Sequence, residues 1–280
     1  MASNSYLIVG AGVFGVSTAY TLIRKYPNAS ITIVDRDAYD ADSRVAASWD
    51  WNKVIRADYD DIIYCKLALE AQDIFESDPL YQPFFHKTGI YWMCRTDYAT
   101  QVVENYKKLG RKAELEAMSV KEARRLYGGL FEDADYTDVR DVLVNKTSGW
   151  ANAGDALRAV TKKCIELGVK YVVAETQSLT FDRSGRCTGV KTKKGDTYSA
   201  SKVILCTGAF TAKLLEQAAK ASNKPDISAG GRIIAGGITT GMTKLDEESY
   251  KKFEHMPVAV QSYNATTGMR LSILTTQMTP

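Results

Sequence analysis

Histidine is nearly missing: His86 and His255 are the only two in 280 residues. A zinc centre or a Ser-His-Asp arrangement therefore has little to work with. The five cysteines, Cys65, Cys94, Cys164, Cys187 and Cys206, are odd in number, scattered, and form no C-x-x-C pair. Four of them lie in apolar or helical settings, which fits buried free thiols rather than disulfides or a metal site. No apolar run approaches the roughly 20 residues that span a bilayer. The N-terminus enters an apolar strand almost at once, with no basic n-region and cleavage site. A soluble intracellular, cytoplasmic protein is the expectation, in which the N-x-[ST] sequons at Asn28, Asn145 and Asn264 are incidental. An excess of one charge is also lacking. The net charge is +3, and Lys107-Lys108 and the lysines at 191, 193 and 194 are short groups on solvated surface. Nucleic acid and membrane are thus not expected partners.

What is present is ordinary globular composition, 45% hydrophobic and 25% charged, in a chain long enough for one large or two intertwined domains. The stretch from Tyr6 to Asp35 organises the rest. Tyr6-Leu7-Ile8-Val9 is an uncharged apolar run, as in a buried parallel strand. It leads into Gly10-Ala11-Gly12-Val13-Phe14-Gly15, which fits G-x-G-x-x-G, and Val16 to Arg24 reads as an amphipathic helix. Ile31 to Val34 is a second strand, closed by Asp35 at the spacing of a dinucleotide fingerprint. Gly10 permits the tight turn, Gly12 lets a pyrophosphate approach the backbone, and Gly15 lets the helix lie close to the strand. The helix start, at Val13 and Phe14, offers N–H groups and partial positive charge to phosphates. Asp35 can accept from both hydroxyls of an adenosine ribose, and its charge disfavours a 2′-phosphate.

Further along, helices are predicted over 62–75, 100–109, 119–126, 152–167, 211–219 and 246–253, with Ser119 and Glu122 forming a capping box. Strands are predicted over 169–173, 178–181, 189–192, 202–206 and 232–240, and Phe84 to Met93 as a turn into a strand. Asp50 to Arg56 mixes aromatics with a lysine and an arginine that look buried. The strand at 202–206 runs into Thr207-Gly208-Ala209, where a small strand end lets the backbone approach a dinucleotide from the far side of the sheet. That second element favours FAD over a nicotinamide.

These motifs resemble those of the FAD-dependent amine oxidases of the D-amino-acid-oxidase fold, in particular the monomeric sarcosine oxidase branch and its fungal relatives. Those relatives are the fructosyl amino acid (Amadori) oxidases and saccharopine oxidase. The resemblance runs from about Tyr6 to Val258. It is carried by Gly10–Gly15 with Asp35-Arg36, by Asp50-x-Asn52-Lys53-Val54-Ile55-Arg56, by Pro83-Phe84-Phe85-His86-x-x-Gly89, by Ser148-Gly149-Trp150-Ala151 and by Cys206-Thr207-Gly208-Ala209. It implies an α/β fold, a Rossmann-like FAD-binding domain of residues 1–80 and 150–215 interleaved with an α+β substrate domain of 81–149 and 216–280.

By the same resemblance, Gly10, Gly12, Val13, Phe14, Gly15, Asp35 and Arg36 would hold the pyrophosphate and adenosine ribose of FAD. Val173 would meet the adenine through its backbone, and Thr207 and Gly208 would line the cleft. Ser48, Asn52 and Lys53 would lie beside the flavin ring, with Lys53 the catalytic cation that stabilises negative charge there. Arg56 shares that setting; the plainer reading of both is surface ion pairing on a strand edge. His86 reads as a structural histidine, and Trp49, Trp51, Trp92 and Trp150 as core or cleft wall. The implied reaction oxidises a secondary amine, as in an N-alkylated or fructosyl amino acid, to an imine that hydrolyses. O2 takes the electrons as H2O2. From Ser262 to Pro280 the sequence departs from the family, and no cysteine follows Cys206 to attach flavin. A chain truncated at its C-terminus, with sheet edges left open, is the expectation. The alternatives are an inactive FAD-binding isoform and a nicotinamide-dependent dehydrogenase.

Overall fold

The computed structural model describes residues 4–237 and 241–261 and the backbone of 273–274. In chain order β1 (Ser5–Val9), α1 (Val13–Lys25) and β2 (Ser30–Asp35) come first, then β3 (Lys53–Ile55) and α2 (Ile62–Ser77). β4 (Phe85–His86), β5 (Ile90–Cys94), α3 (Tyr98–Lys108), β6 (Leu115–Met118), the single-turn α4 (Val120–Ala123), β7 (Asp141–Asn145) and β8 (Gly149–Ala151) follow. Next are α5 (Ala153–Glu166), β9 (Lys170–Val173), β10 (Thr176–Phe181), β11 (Cys187–Thr192), β12 (Thr197–Ser199), β13 (Lys202–Leu205) and α6 (Thr211–Ser222). α7 (Glu247–Phe253), β14 (Val258–Gln261) and β15 (Ile273–Leu274) come last. The chain divides into two compact units, residues 1–51 with 153–241, and 52–152 with 242–280. α2 thus belongs to the second unit and α6 with its C-terminal extension to the first, where the sequence reading divides the chain at 80 and 215.

The first unit is built on a parallel sheet of order β13-β1-β2-β9. Leu7 and Val9 alternate with Tyr6 and Ile8, so β1 is apolar on both faces, as a covered parallel strand must be. Leu7, Val9 and Val34 form one core with Leu179 and Val190 of the antiparallel β10-β11-β12 meander and with Leu214 and Ala218 of α6. α1 packs on α5, with the Cys164 Sγ 3.8 Å from the Val16 carbonyl.

The second unit holds a five-stranded sheet, β15-β14-β5-β7-β6, and a small antiparallel sheet, β3-β8-β4. Leu143 and Cys94 face α2 and α3 through Cys65, Leu69, Ala99, Val102 and Tyr106. Tyr91, Met93, Val142 and Val144 face the other way, onto Ala123, Phe131, Tyr136 and Met256. Here Tyr91 Oη lies 2.7 Å from Tyr136 Oη, and Tyr136 Oη donates to the Phe131 carbonyl at 2.9 Å.

Two expectations give way. The helix expected over 119–126 stops after Ala123: the Arg125 N–H bonds to the Glu122 carbonyl three residues back instead of continuing the helix, and Tyr127 and Gly128 then take left-handed backbone angles. Ser119 still caps it, accepting from the Glu122 N–H at 3.3 Å. The strand expected over 232–240 is irregular chain from 233 to 237; residues 238–240 lie outside the described residues, as do Asn264 and most of 262–280. All five cysteines are free, Cys65, Cys94 and Cys164 fully buried, and burial pushes the thiols of Cys94 and Cys164 up to about 12. Asn145 is completely buried and hydrogen-bonded, so its sequon is closed to modification in the fold. Among the described residues no helix is long and apolar enough to cross a membrane, and no cluster of His, Cys, Asp or Glu could hold a metal ion.

Candidate dinucleotide site

The glycine-rich turn sits between the C-terminal end of β1 and the start of α1, in the crevice where the sheet order reverses away from β1. Gly10 has φ +101°, and a Cβ there would overlap the Cys206 carbonyl at the end of β13. A Cβ on Gly15 would overlap the Gly10 carbonyl. In both cases the obstruction is backbone and cannot swing away. At Gly12 the neighbour is only the Ser48 Oγ, 3.2 Å from an added Cβ. The turn is therefore packed from beneath and bare above, as close approach of a phosphate requires.

The first intrahelical bond of α1 is from Val16 N–H to the Gly12 carbonyl at 3.0 Å, leaving the N–H groups of Val13 to Gly15 ahead of it. No acidic residue lies in that first turn to compete with an anion. Phe14 is 78% exposed and Val13 49%. Ser48 accepts from the Val13 N–H at 2.9 Å. This hydroxyl, expected beside a flavin ring, caps the helix that would face the pyrophosphate.

Asp35 closes β2 beside the turn. Its Oδ2 accepts from the Ala11 N–H at 2.6 Å and its Oδ1 from the Asp37 N–H at 3.0 Å. Arg44 Nη2 lies 3.2 Å from Asp35 Oδ1, and Arg44 Nη1 donates to the Ala11 carbonyl at 3.3 Å. Oδ1 thus already meets two donors and Oδ2 one, which leaves Oδ2 with a lone pair for a ribose hydroxyl. Arg36 points elsewhere: it donates to the Val45 carbonyl at 2.7 Å, pairs with Asp37, and lies 4.5 Å over the Phe210 ring. Arg44, in a loop that reads as polar and irregular, gave no motif signal. Val173 pairs in register with Asp35 across β2 and β9 and is 55% exposed, at the edge of the same sheet end. Thr207 Oγ1 lies 2.9 Å from Thr211 Oγ1, and Gly208, at φ +52°, has open space where a side chain would stand.

Asn52 and Lys53 fall at the start of the second unit. Lys53 pairs with Ala151, and Ala151 with Phe85, in one row across β3, β8 and β4. Val54, Trp150 and His86 form the next row and so face the other way. His86 stacks on Trp150 at 4.0 Å, and partial burial lowers its pKa from the ordinary value. It shares no sheet face with Lys53, which accords with a structural histidine. Lys53 is exposed rather than buried, and Arg56 is half-buried, stacked over Tyr59 at 4.2 Å and Trp92 at 4.6 Å. Arg56 also donates to the Asp58 carbonyl, so it braces the fold rather than pairing on the surface.

The glycine turn, the helix start and Asp35 have the geometry that the ADP portion of a dinucleotide requires. Residues 5–254 match the DAO family model, described as FAD dependent oxidoreductase. The chain belongs to the DAO family. DAO proteins similar to it include L-saccharopine oxidase of Schizosaccharomyces pombe, 28% identical over 272 residues that cover 91% of this chain and 60% of that one. The amino acid oxidase fsqB of Aspergillus fumigatus is 29% identical over 249 residues, covering 76% of this chain and 50% of its own. Among solved structures, a fructosyl peptide oxidase superposes with a TM-score of 0.69 at 23% identity, over 93% of this chain and 60% of that one. Amadoriase II of Aspergillus fumigatus, a fructosamine oxidase, gives 0.67 at 21%, over 93% and 59%. The chain thus spans about 50–60% of the length of these relatives. The family's cofactor is FAD rather than a nicotinamide, and the packed turn, the bare helix start and Asp35 fit its ADP half.

Proposed function

We propose that the first unit binds FAD and that the chain serves an oxidase acting on the C–N bond of a secondary amine in an N-substituted amino acid. O2 is the electron acceptor and H2O2 the product. The observation that carries the binding half is the Gly10–Gly15 turn, closed to side chains by the Cys206 and Gly10 carbonyls and tied to Asp35 through the Ala11 N–H. The substrate class rests on the names of the relatives. L-saccharopine and fructosyl peptides are both amino acid derivatives whose nitrogen carries a second carbon substituent.

Bound FAD supplies the acceptor for a hydride from the carbon next to that nitrogen. This chain's residues hold it and set its surroundings. The turn from Gly10 to Gly12 and the amides of Phe14 and Gly15 receive the pyrophosphate, with the Val13 N–H held by Ser48; Asp35 receives a ribose hydroxyl; Val173 borders the adenine. Thr207 and Gly208 leave room along the cleft. Lys53, with Asn52 before it in sequence, is the cation assigned to the chemistry: its ammonium would offset negative charge on the reduced flavin and so assist electron transfer to O2.

The test is an absorption spectrum of the purified chain before and after acid precipitation. Flavin bands that pass to the supernatant support a bound, non-covalent FAD. A colourless protein that added FAD cannot reconstitute overturns the binding half. Peroxide release with saccharopine or a fructosyl amino acid supports the chemistry, and its absence from a flavin-loaded chain reduces this chain to FAD binding alone. In an active preparation, Lys53→Met is expected to retain FAD while slowing peroxide formation about tenfold, or about 1.4 kcal/mol of barrier. Unchanged turnover in stopped-flow reoxidation would remove Lys53 from the chemistry.

A further inference from the structure

One charged side chain in the first unit is almost wholly enclosed and has no part in the motif. Arg44 is 5% exposed, although its neighbours Asp42, Ser43 and Val45 are exposed, Val45 at 71%. A polar loop has thus turned a single cation inward. Its guanidinium reaches two groups that belong to the glycine turn and its acid: Asp35 Oδ1 at 3.2 Å and the Ala11 carbonyl at 3.3 Å. Its Nε is buried with no acceptor among the described residues. Burying a guanidinium with one donor unmet is costly, so its placement is set by the ion pair with Asp35 and the bond to the Ala11 carbonyl.

The same loop makes a second attachment four residues on, where Ser48 caps the Val13 N–H. Ala11 is consequently held at both ends, its N–H by Asp35 and its carbonyl by Arg44, while Val13 is held by Ser48. The strap from 44 to 48 fixes the turn and the carboxylate as one piece. Without Arg44, Asp35 would retain only two amide donors and would be free to turn its oxygens away from a ribose. Arg44 has almost no exposed surface of its own, so while Asp35 is present it cannot reach a ligand phosphate.

Resting on the FAD-binding reading above, we propose that Arg44 is the positioning and specificity-determining residue of the adenosine subsite. By engaging Oδ1 it fixes Asp35 so that Oδ2 is left to accept from an unphosphorylated ribose, and it is a latent phosphate site that Asp35 occupies. Arg36, turned to the Val45 carbonyl and the Phe210 ring, does not share this role. The geometry predicts coupling: Arg44 acts through Asp35, so the two substitutions are not additive.

The experiment measures dissociation constants of FAD, 5′-ADP, 2′,5′-ADP and FMN by calorimetry on the apo chain, with its melting temperature recorded alongside. For wild type, 5′-ADP binds better than 2′,5′-ADP. Arg44→Met weakens FAD and 5′-ADP about tenfold and leaves FMN unchanged; Asp35→Ala and the double variant lose the same amount. Asp35→Ser reverses the preference toward 2′,5′-ADP, and Arg44→Met added to it abolishes that reversal. Should Arg44→Met fail to fold, the Asp35→Ser reversal and its partial retention in Asp35→Ser/Arg44→Lys decide. Equal losses for FAD and FMN with a lowered melting temperature, additive losses, or no reversal would each overturn the proposal. If wild type binds neither FAD nor 5′-ADP, the FAD-binding reading itself fails.

Discussion

Gly15→Ala is expected to weaken FAD binding about 100-fold, close to 2.7 kcal/mol, although alanine is the better helix former by about 1 kcal/mol. The intrinsic gain is outweighed by where the new methyl must go. It points into the Gly10 carbonyl, with the Gly10 carbonyl carbon 3.0 Å and the Cys206 Cβ 3.3 Å away. None of these can rotate clear, so α1 must lift from β1, and overpacking of that kind costs about 1–3 kcal/mol. Lifting α1 also carries Val13 from Ser48 and Ala11 from Asp35, the bonds of 2.9 and 2.6 Å that hold the turn under a pyrophosphate. Binding therefore suffers more than folding does. Gly12→Ala is the control, because its obstruction is the Ser48 hydroxyl, a side chain that can turn. It should melt close to wild type while still weakening FAD, since a methyl now stands where phosphate approaches. Flavin fluorescence titration with parallel thermal melts separates the two. A Gly15→Ala protein that binds FAD like wild type would show that the turn does not cradle the dinucleotide.

That much was readable from the sequence, because the fingerprint states a backbone requirement. Glycine at 10 and 15 is demanded by carbonyls only a few residues or one strand away, and the strand-turn-helix-strand order fixes which carbonyls these are. Arg44 and Ser48 were harder for the opposite reason. Their partners lie across an irregular loop, where neither the 3.6 nor the 2 residue period says which side chain turns inward. The helix expected at 119–126 failed on a local detail, the tightening to a three-residue hydrogen bond at Arg125, that hydrophobic spacing does not register. Lys53 and Arg56 looked alike in sequence, three apart among apolar residues. Only the pairing of β3 with β8 and the rings of Tyr59 and Trp92 distinguish an exposed lysine from a stacked arginine.

Asp58→Ala is expected to cost about 3 kcal/mol, the range for stranding buried donors beside a small void. Asp58 is completely buried, accepting from Asn145 Nδ2 at 2.6 Å and from Ser148 Oγ at 2.8 Å. Asn145 Nδ2 is also 3.1 Å from Tyr106 Oη. The network joins the segment after β3 to the turn between β7 and β8, and so keeps β3, with Lys53, in register on β8. Asp58→Asn keeps the shape and isolates the charge. Burial raises the Asp58 carboxyl above its ordinary value of 3.8, against the opposing hydrogen bonds of Asn145 and Ser148 and the field of Arg56. The sign follows. Above pH 3.8 the unfolded chain ionises this group while the folded chain retains its proton, so each step up in pH favours unfolding. Its stabilising contribution is complete below that pH and is lost as pH rises through the raised folded value. The stability difference between wild type and Asp58→Asn, measured by urea unfolding at a series of pH values, should therefore shrink from pH 4 upward. A difference that grows instead would mean that Arg56 and the two donors outweigh burial, and that Asp58 is ionised in the fold.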